Sequence, residues 1–257
     1  MAERSILMPR IDFNCDLGEG CGDDAAIVAH ISSASIACGG HAGDDATMRA
    51  TLRLCGLHGV AAGAHPGYAD REQFGRREFA LSADAITTLV GSQLARLAAI
   101  AAAEGVPLAH VKPHGALYNL AARDRTVADA IAAAVVGFDP SLILFGLSGS
   151  ALPAAGTAAG LRVAHEVFAE RGYAGDGQLL PRGAPGAVIE SMEAAIAQAR
   201  ALATSGTVTS VDGHRLSLRA DTLCLHGDRR DAAAFARALR QALESSSVRI
   251  LPVGVEA

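Results

Sequence analysis

The decapeptide HVKPHGALYN, residues 110–119, gathers His110, Lys112, His114 and Tyr118 around a proline and a glycine. Imidazole exchanges protons near neutral pH, and an ammonium stabilises negative charge as it develops. Similar groups recur elsewhere: Asn14, Asp16 and Glu19; His41 and Asp44; His65; Glu166; His226 and Asp228. Together they would supply a general base, a general acid and a partner for an oxyanion or phosphate. Gly39, Gly40 and Gly43, in CGGHAGDD (38–45), lead into a helical segment. Their freedom at positive φ and the helix N-terminus behind them suit an anion, although Asp44 is read first as the helix cap.

His41, His65, His114 and His226, with Asp16 and Glu19, also have the chemistry to ligate Zn²⁺ and activate water. No HExxH spacing accompanies them. The site is therefore read as metal-free, with Asp16, His41, His65 and His226 as the alternative ligand set. GLSGSAL (146–152) does not match the GxSxG elbow of serine hydrolases. Neither GxxxxGK[ST] nor a strand-linked GxGxxG occurs. His30, His58, His165 and His214 are read as structural or surface residues.

Elements of strand length precede most of these groups: 10–16, 33–38, 59–65, 107–112, 141–146, 162–168 and 222–227. Helix-period segments follow at 44–57, 83–104, 125–136, 185–204 and 230–246, with Asp44, Ser82 and Asp124 as N-caps. Strand alternating with helix predicts parallel pairing through right-handed crossovers. Seven strands predict a closed or nearly closed α/β barrel over a single domain, 1–257. In such a barrel the carboxyl ends of all strands share one rim, so the polar groups would converge there. Period-two alternation sends Asp12, Asn14 and Asp16, and likewise His110 and Lys112, into the lumen. Lys112 then needs a charge partner, Asp16 or Glu166. Asp212-Gly213, within 207–220, predicts a β-hairpin excursion. VRILPVG (248–254) reads as a short terminal strand.

Half of the 257 residues are hydrophobic, enough for one large core. A net charge of −5, no basic stripe and no Trp argue against nucleic acid as a partner. No signal peptide and no membrane span are expected. Five cysteines without a CxxC pair read as reduced thiols of a cytoplasmic protein.

FNCDLGEG, IACGGHAGD, GAHPGY, HVKPHGALYN, EVFAERGY and CLHGD occur in that order. Together they resemble the LamB/YcsF family, described as the A subunit of 5-oxoprolinase, from about Ile11 to the last helix. The resemblance implies an irregular seven-stranded (β/α) barrel of the glycoside hydrolase/deacetylase type. It implies ATP-dependent opening of 5-oxoproline to L-glutamate, with ADP and phosphate, in a complex with 5-oxoprolinase subunits B and C. ATP enters as cosubstrate, with Mg²⁺ as its companion. Gly40 stands where the family commonly has an aromatic, and Glu170 where it has Asp. The lost ring would loosen the pocket wall.

For that chemistry Asp16, His65, Lys112, His114 and Glu166 are the catalytic candidates. Lys112 faces the oxyanion or phosphate, and His114 or His65 is the base, oriented by Asp16 or Glu166. Asn14, Glu19, Gly39, Gly40, His41, Gly43, Tyr118, Arg171, His226 and Asp228 are the substrate-binding candidates, the glycine loop holding a carboxylate. Two other readings stand beside this one: a metal-dependent hydrolase or deacetylase of a carbohydrate or amide, and a non-catalytic subunit that binds the small acid.

Overall fold

The structure, a computed structural model, describes residues 8–21, 23–227 and 231–255. In chain order its elements are β1 (Arg10–Leu17), α1 (Asp24–Val28), β2 (Ser33–Ala37), α2 (Asp45–His58), β3 (Ala61–His65), α3 (Ala83–Glu104), β4 (Leu108–Val111), α4 (Gly115–Arg123), α5 (Arg125–Phe138), β5 (Ile143–Leu147), α6 (Ala151–Ala158), β6 (Val163–Phe168), α7 (Met192–Ser205), β7 (Thr207–Thr209), β8 (Arg215–Ser217), β9 (Thr222–His226), α8 (Ala232–Ser245) and β10 (Arg249–Ile250). Seven strands, β1 to β6 and β9, pair in parallel in that order, and β9 returns to β1 through Asp12↔Thr222 to Asp16↔His226. The barrel is closed, as the strand count predicted. β10 adds a two-residue extension beside Arg10 and Ile11. β7 and β8 form the expected antiparallel hairpin.

The expected caps form. Asp44, Ser82 and Asp124 accept from the amides of Thr47, Ala85 and Thr126. α3 ends at Gly105 in the left-handed region, and Ile86, Val90, Leu94 and Leu97 make its buried stripe. This 22-residue helix corrects one expectation, because by length and composition it could cross a membrane. Here it packs against α2 and α5 as part of the helical shell. A second correction concerns α7, which starts at Met192 rather than near 185. PRGAPG (181–186) breaks the helical pattern, and Ser191 supplies the cap instead. The short helices α1, α4 and α6 carry too few turns to leave a periodic signal.

The apolar core lies between strands and helices, and the lumen is polar. Asp12 accepts from Ser32, Ser33 and Thr222. Burial pushes its carboxyl up despite those three donors. Above it, His110 stacks on Phe145 with ring centroids 4.2 Å apart and bonds to Ser35 at 3.2 Å. Gly63 leaves room for that ring, since a Cβ there would lie 2.2 Å from His110 Nε2. Gly63→Ala is expected to destabilise the protein by about 1–3 kcal/mol, because the stacked ring has nowhere to retreat. Urea denaturation checks this.

Candidate active site at the barrel mouth

β1, β6 and β9 bring four polar side chains onto Lys112, which follows the end of β4. Its ammonium lies 2.5 Å from Asp16 Oδ1, 2.8 Å from Asn14 Oδ1, 3.1 Å from Glu166 Oε1 and 3.3 Å from Cys224 Sγ. Asn14 also donates to Glu166 at 3.0 Å and to Thr222 at 2.7 Å, and Tyr118 donates to Glu166 Oε2 at 2.7 Å. Both anticipated partners of the lysine are therefore present. Burial alone would strip its proton, but Asp16, Cys224 and Glu166 together hold its pKa well above the ordinary value. Burial likewise raises Asp16, yet His65 and Lys112 outweigh it and keep that carboxylate low. Burial and the facing Glu166 push the Tyr118 phenol far up, so it stays a donor.

A histidine cluster adjoins this lysine through Asp16, whose Oδ2 lies 3.3 Å from His65 Nε2. His65 Nδ1 donates to the Lys112 carbonyl at 2.7 Å. His114 Nε2 donates to the Phe74 carbonyl at 2.9 Å, and its Nδ1 faces His65 Nε2 at 2.9 Å. Glu19 Oε1 is 3.0 Å from His41 Nε2 and 3.2 Å from His114 Nδ1. Burial raises the Glu19 carboxyl, but the adjoining His114 and His41 outweigh it and leave it well below its ordinary range. His41 and His114 stack with centroids 3.6 Å apart. Phe74 holds the loop with φ 54°, a left-handed conformation that is costly for an aromatic residue.

Burial pushes His41 down to about 3, with the neighbouring His114 and His65 adding to it, and burial with the Lys112 charge does the same to His110. In the unfolded chain both titrate near 6.5. Below that pH the unfolded state takes up protons that the fold refuses until about pH 3. Stability therefore falls on acidification, at up to about 1.4 kcal/mol per pH unit for each histidine. Melting temperature against pH checks this, and His110→Gln is expected to flatten the slope.

Other candidates sit differently. His226 Nδ1 lies 2.5 Å from Glu170 Oε1, which also accepts the His226 amide at 3.0 Å. Glu170 was missed as a site residue. Its signal was a titratable group just past a strand, overlooked beside Arg171. Cys224 was missed because a thiol reads as core, and Phe74 because its contribution is a backbone carbonyl. Arg171 donates to the carbonyls of Ala187 and Leu180, bracing the segment before α7. Burial, then Arg182, lowers it to about 10. The glycine loop is largely self-satisfied. Gly39 N–H donates to Ala42, Asp44 occupies the end of α2, and Arg71 caps the Gly39 and Gly43 carbonyls. The wall beside Gly40 is filled: Gln93 bridges both polar groups of Gly67 there, and a Cβ on Gly40 would meet its Oε1 at 2.6 Å. Asp228 lies outside the described residues.

A cavity of about 500 Å³ opens over this floor. Lys112, His114, Tyr118, Glu166 and His226 line it, with Arg76, Arg171 and Arg182 adding positive charge. Its size and mixed lining suit a small organic acid.

The sequence is 51% identical to the 5-oxoprolinase A subunit of Symbiobacterium thermophilum over 252 residues, 96% of this chain and 97% of the relative. It is 49% identical to the 5-oxoprolinase A subunit of Bordetella parapertussis, over 94% of this chain and 98% of the relative. The crystal structure of the lactam utilization protein from Thermus thermophilus matches with a TM-score of 0.89 and 45% identity, covering 94% of this chain and 99% of that one. Peptidoglycan deacetylase PdaC from Bacillus subtilis matches with a TM-score of 0.50 and 10% identity, covering 96% and 89%. At that identity only the barrel is shared. The LamB/YcsF family profile spans residues 11–256, and with half-identical relatives along nearly the whole length, this chain belongs to the LamB/YcsF family.

Proposed function

We propose that residues 1–257 form one barrel domain that serves as the A subunit of a 5-oxoprolinase. It opens the lactam of 5-oxoproline to L-glutamate with ATP, alongside subunits B and C. The carrying observation is a charged, fully buried lysine on the floor of a small-acid cavity, ringed by Asp16, Asn14 and Glu166 beside paired histidines. The relatives named as the A subunit of 5-oxoprolinase support the substrate.

A lactam is a stable amide, and ATP with Mg²⁺ makes its opening favourable. Phosphate passes from ATP to the lactam oxygen. Water adds at that carbon, the ring C–N bond breaks as the nitrogen takes a proton, and the acyl phosphate so formed reacts with a second water, which releases phosphate and leaves the side-chain carboxylate. Lys112 stabilises the negative charge on the oxygen and the incoming phosphoryl group. Asp16 and Glu166 hold the ammonium in place. His114, on the cavity wall, exchanges protons with water and the ring nitrogen, in contact with His65. The arginines lining the cavity favour the substrate carboxylate and the phosphates of ATP.

The test mixes the purified chain with subunits B and C, 5-oxoproline and ATP, and follows glutamate and ADP. Both products are expected to depend on every component. Undiminished glutamate without this chain removes the reading. Variants that lose turnover but keep 5-oxoproline affinity exclude a purely binding role.

A further inference from the structure

We propose that Glu19, His65 and His114 form a three-ligand site for a divalent transition-metal ion of the zinc class. The backbone acceptors fix the ring protons. A carbonyl oxygen only accepts, so His65 Nδ1, at 2.7 Å from the Lys112 carbonyl, carries hydrogen. His114 Nε2 does so as well, at 2.9 Å from the Phe74 carbonyl. In the neutral rings the other two nitrogens then present lone pairs, and these face each other at 2.9 Å. Glu19 Oε1 completes a triangle, 3.2 Å from His114 Nδ1 and 3.7 Å from His65 Nε2. Three buried acceptors at such distances require a positive centre among them.

The triangle has the dimensions of a metal site. Tetrahedral bonds of about 2.0–2.1 Å separate ligand atoms by about 3.3 Å. Edges of 2.9, 3.2 and 3.7 Å bracket that value. Their circumradius is about 1.9 Å, so a point at bonding distance from all three lies just off the plane. Carbonyl anchors on the distal nitrogens are also the usual means of fixing ligand tautomers. Two imidazoles and one carboxylate favour zinc-class ions over Mg²⁺.

This set differs from Asp16, His41, His65 and His226. Glu170 holds His226 Nδ1, and His41 lies in a plane parallel to His114, where its lone pairs cannot meet the same ion head-on. His41 is instead a positioning residue that donates from Nε2 to Glu19 Oε1 at 3.0 Å. The site stands on its own geometry, whether or not the lactam reading holds; an ion bound there would engage both nitrogens of His114, so the proton exchange assigned to that ring belongs to the metal-free site. When bound, the ion supplies a Lewis acid next to the Asp16–Lys112 pair.

The full chain, stripped with chelator and dialysed against Zn²⁺ or Co²⁺, is expected to retain one equivalent by elemental analysis. With Co²⁺ it should show the visible absorption of a tetrahedral site. Glu19→Gln with His114→Gln is expected to abolish both, with folding verified by circular dichroism. His41→Asn is expected to keep the stoichiometry while weakening affinity about 10–100-fold. A folded wild-type chain that retains no metal overturns the proposal and leaves a proton shared by His65 and His114. One equivalent kept by the folded double variant overturns it too, by placing the ion elsewhere. Glutamate formation in the assembled complex, assayed in parallel, separates the two readings. Metal without glutamate defeats only the lactam function, and glutamate from a chain that takes up neither Zn²⁺ nor Co²⁺ defeats only the ion.

Discussion

Lys112→Ala is expected to cut glutamate formation in the assembled complex by about 10²–10³-fold or more, the usual effect of deleting a charge-stabilising donor. It is also expected to lower stability by roughly 3–5 kcal/mol, because Asp16 and Glu166 would remain buried without their cation. The lysine's pKa is raised in the fold. Its contribution to stability is therefore complete below the unfolded value near 10.5 and is lost only as pH climbs through the folded one, so neutral assays see all of it. The two effects separate in a double variant. Lys112→Met with Glu166→Gln removes one cation and one anion while keeping volume, so it should recover much of the stability and none of the turnover. Wild-type turnover in either variant would exclude the lysine from the chemistry.

Asp16→Asn is the second large effect, expected at about 10²–10⁴-fold in kcat with KM changed little. One oxygen of Asp16 meets the lysine and the other faces His65. Asparagine preserves the shape but loses the charge, and one of its two polar ends must present N–H to Lys112 or to His65. The lysine keeps Glu166 and Asn14, so the expected stability loss is smaller, about 1–3 kcal/mol. Turnover, KM and urea denaturation on one preparation check all three statements. A weakened KM with kcat unchanged would move Asp16 from the chemistry to substrate holding.

Much of the architecture was legible because its signals are local. The caps at Asp44, Ser82 and Asp124 depend on a side chain reaching an amide two or three residues ahead. Lumen-facing Asn14 and Lys112 follow from strand pleat, and their contact confirms the phase of both strands. The onset of α7 was misread because the helical period continued through a Pro/Gly stretch that the backbone cannot follow. The apolarity of α3 was underrated because its many alanines, each only weakly apolar, add up over 22 residues.

The amino-acid order by itself determined which residues point inward and that the polar ones leave their strands at a common end, since pleat and parallel crossover are properties of adjacent residues. It also carried the family, through six motifs in sequence. Only the tertiary structure decided the partners. Closure of β9 on β1 sets Cys224 and Thr222 beside the Lys112 network. The end of β3 and the loops after β1, β2 and β4 bring Glu19, His41, His65 and His114 into one cluster and leave His226 to Glu170. Such choices turn on distances of a few ångströms between segments dozens of residues apart. Nearest-neighbour preferences hold no record of those distances; they arise only when the packed barrel fixes the relative height and tilt of its strands.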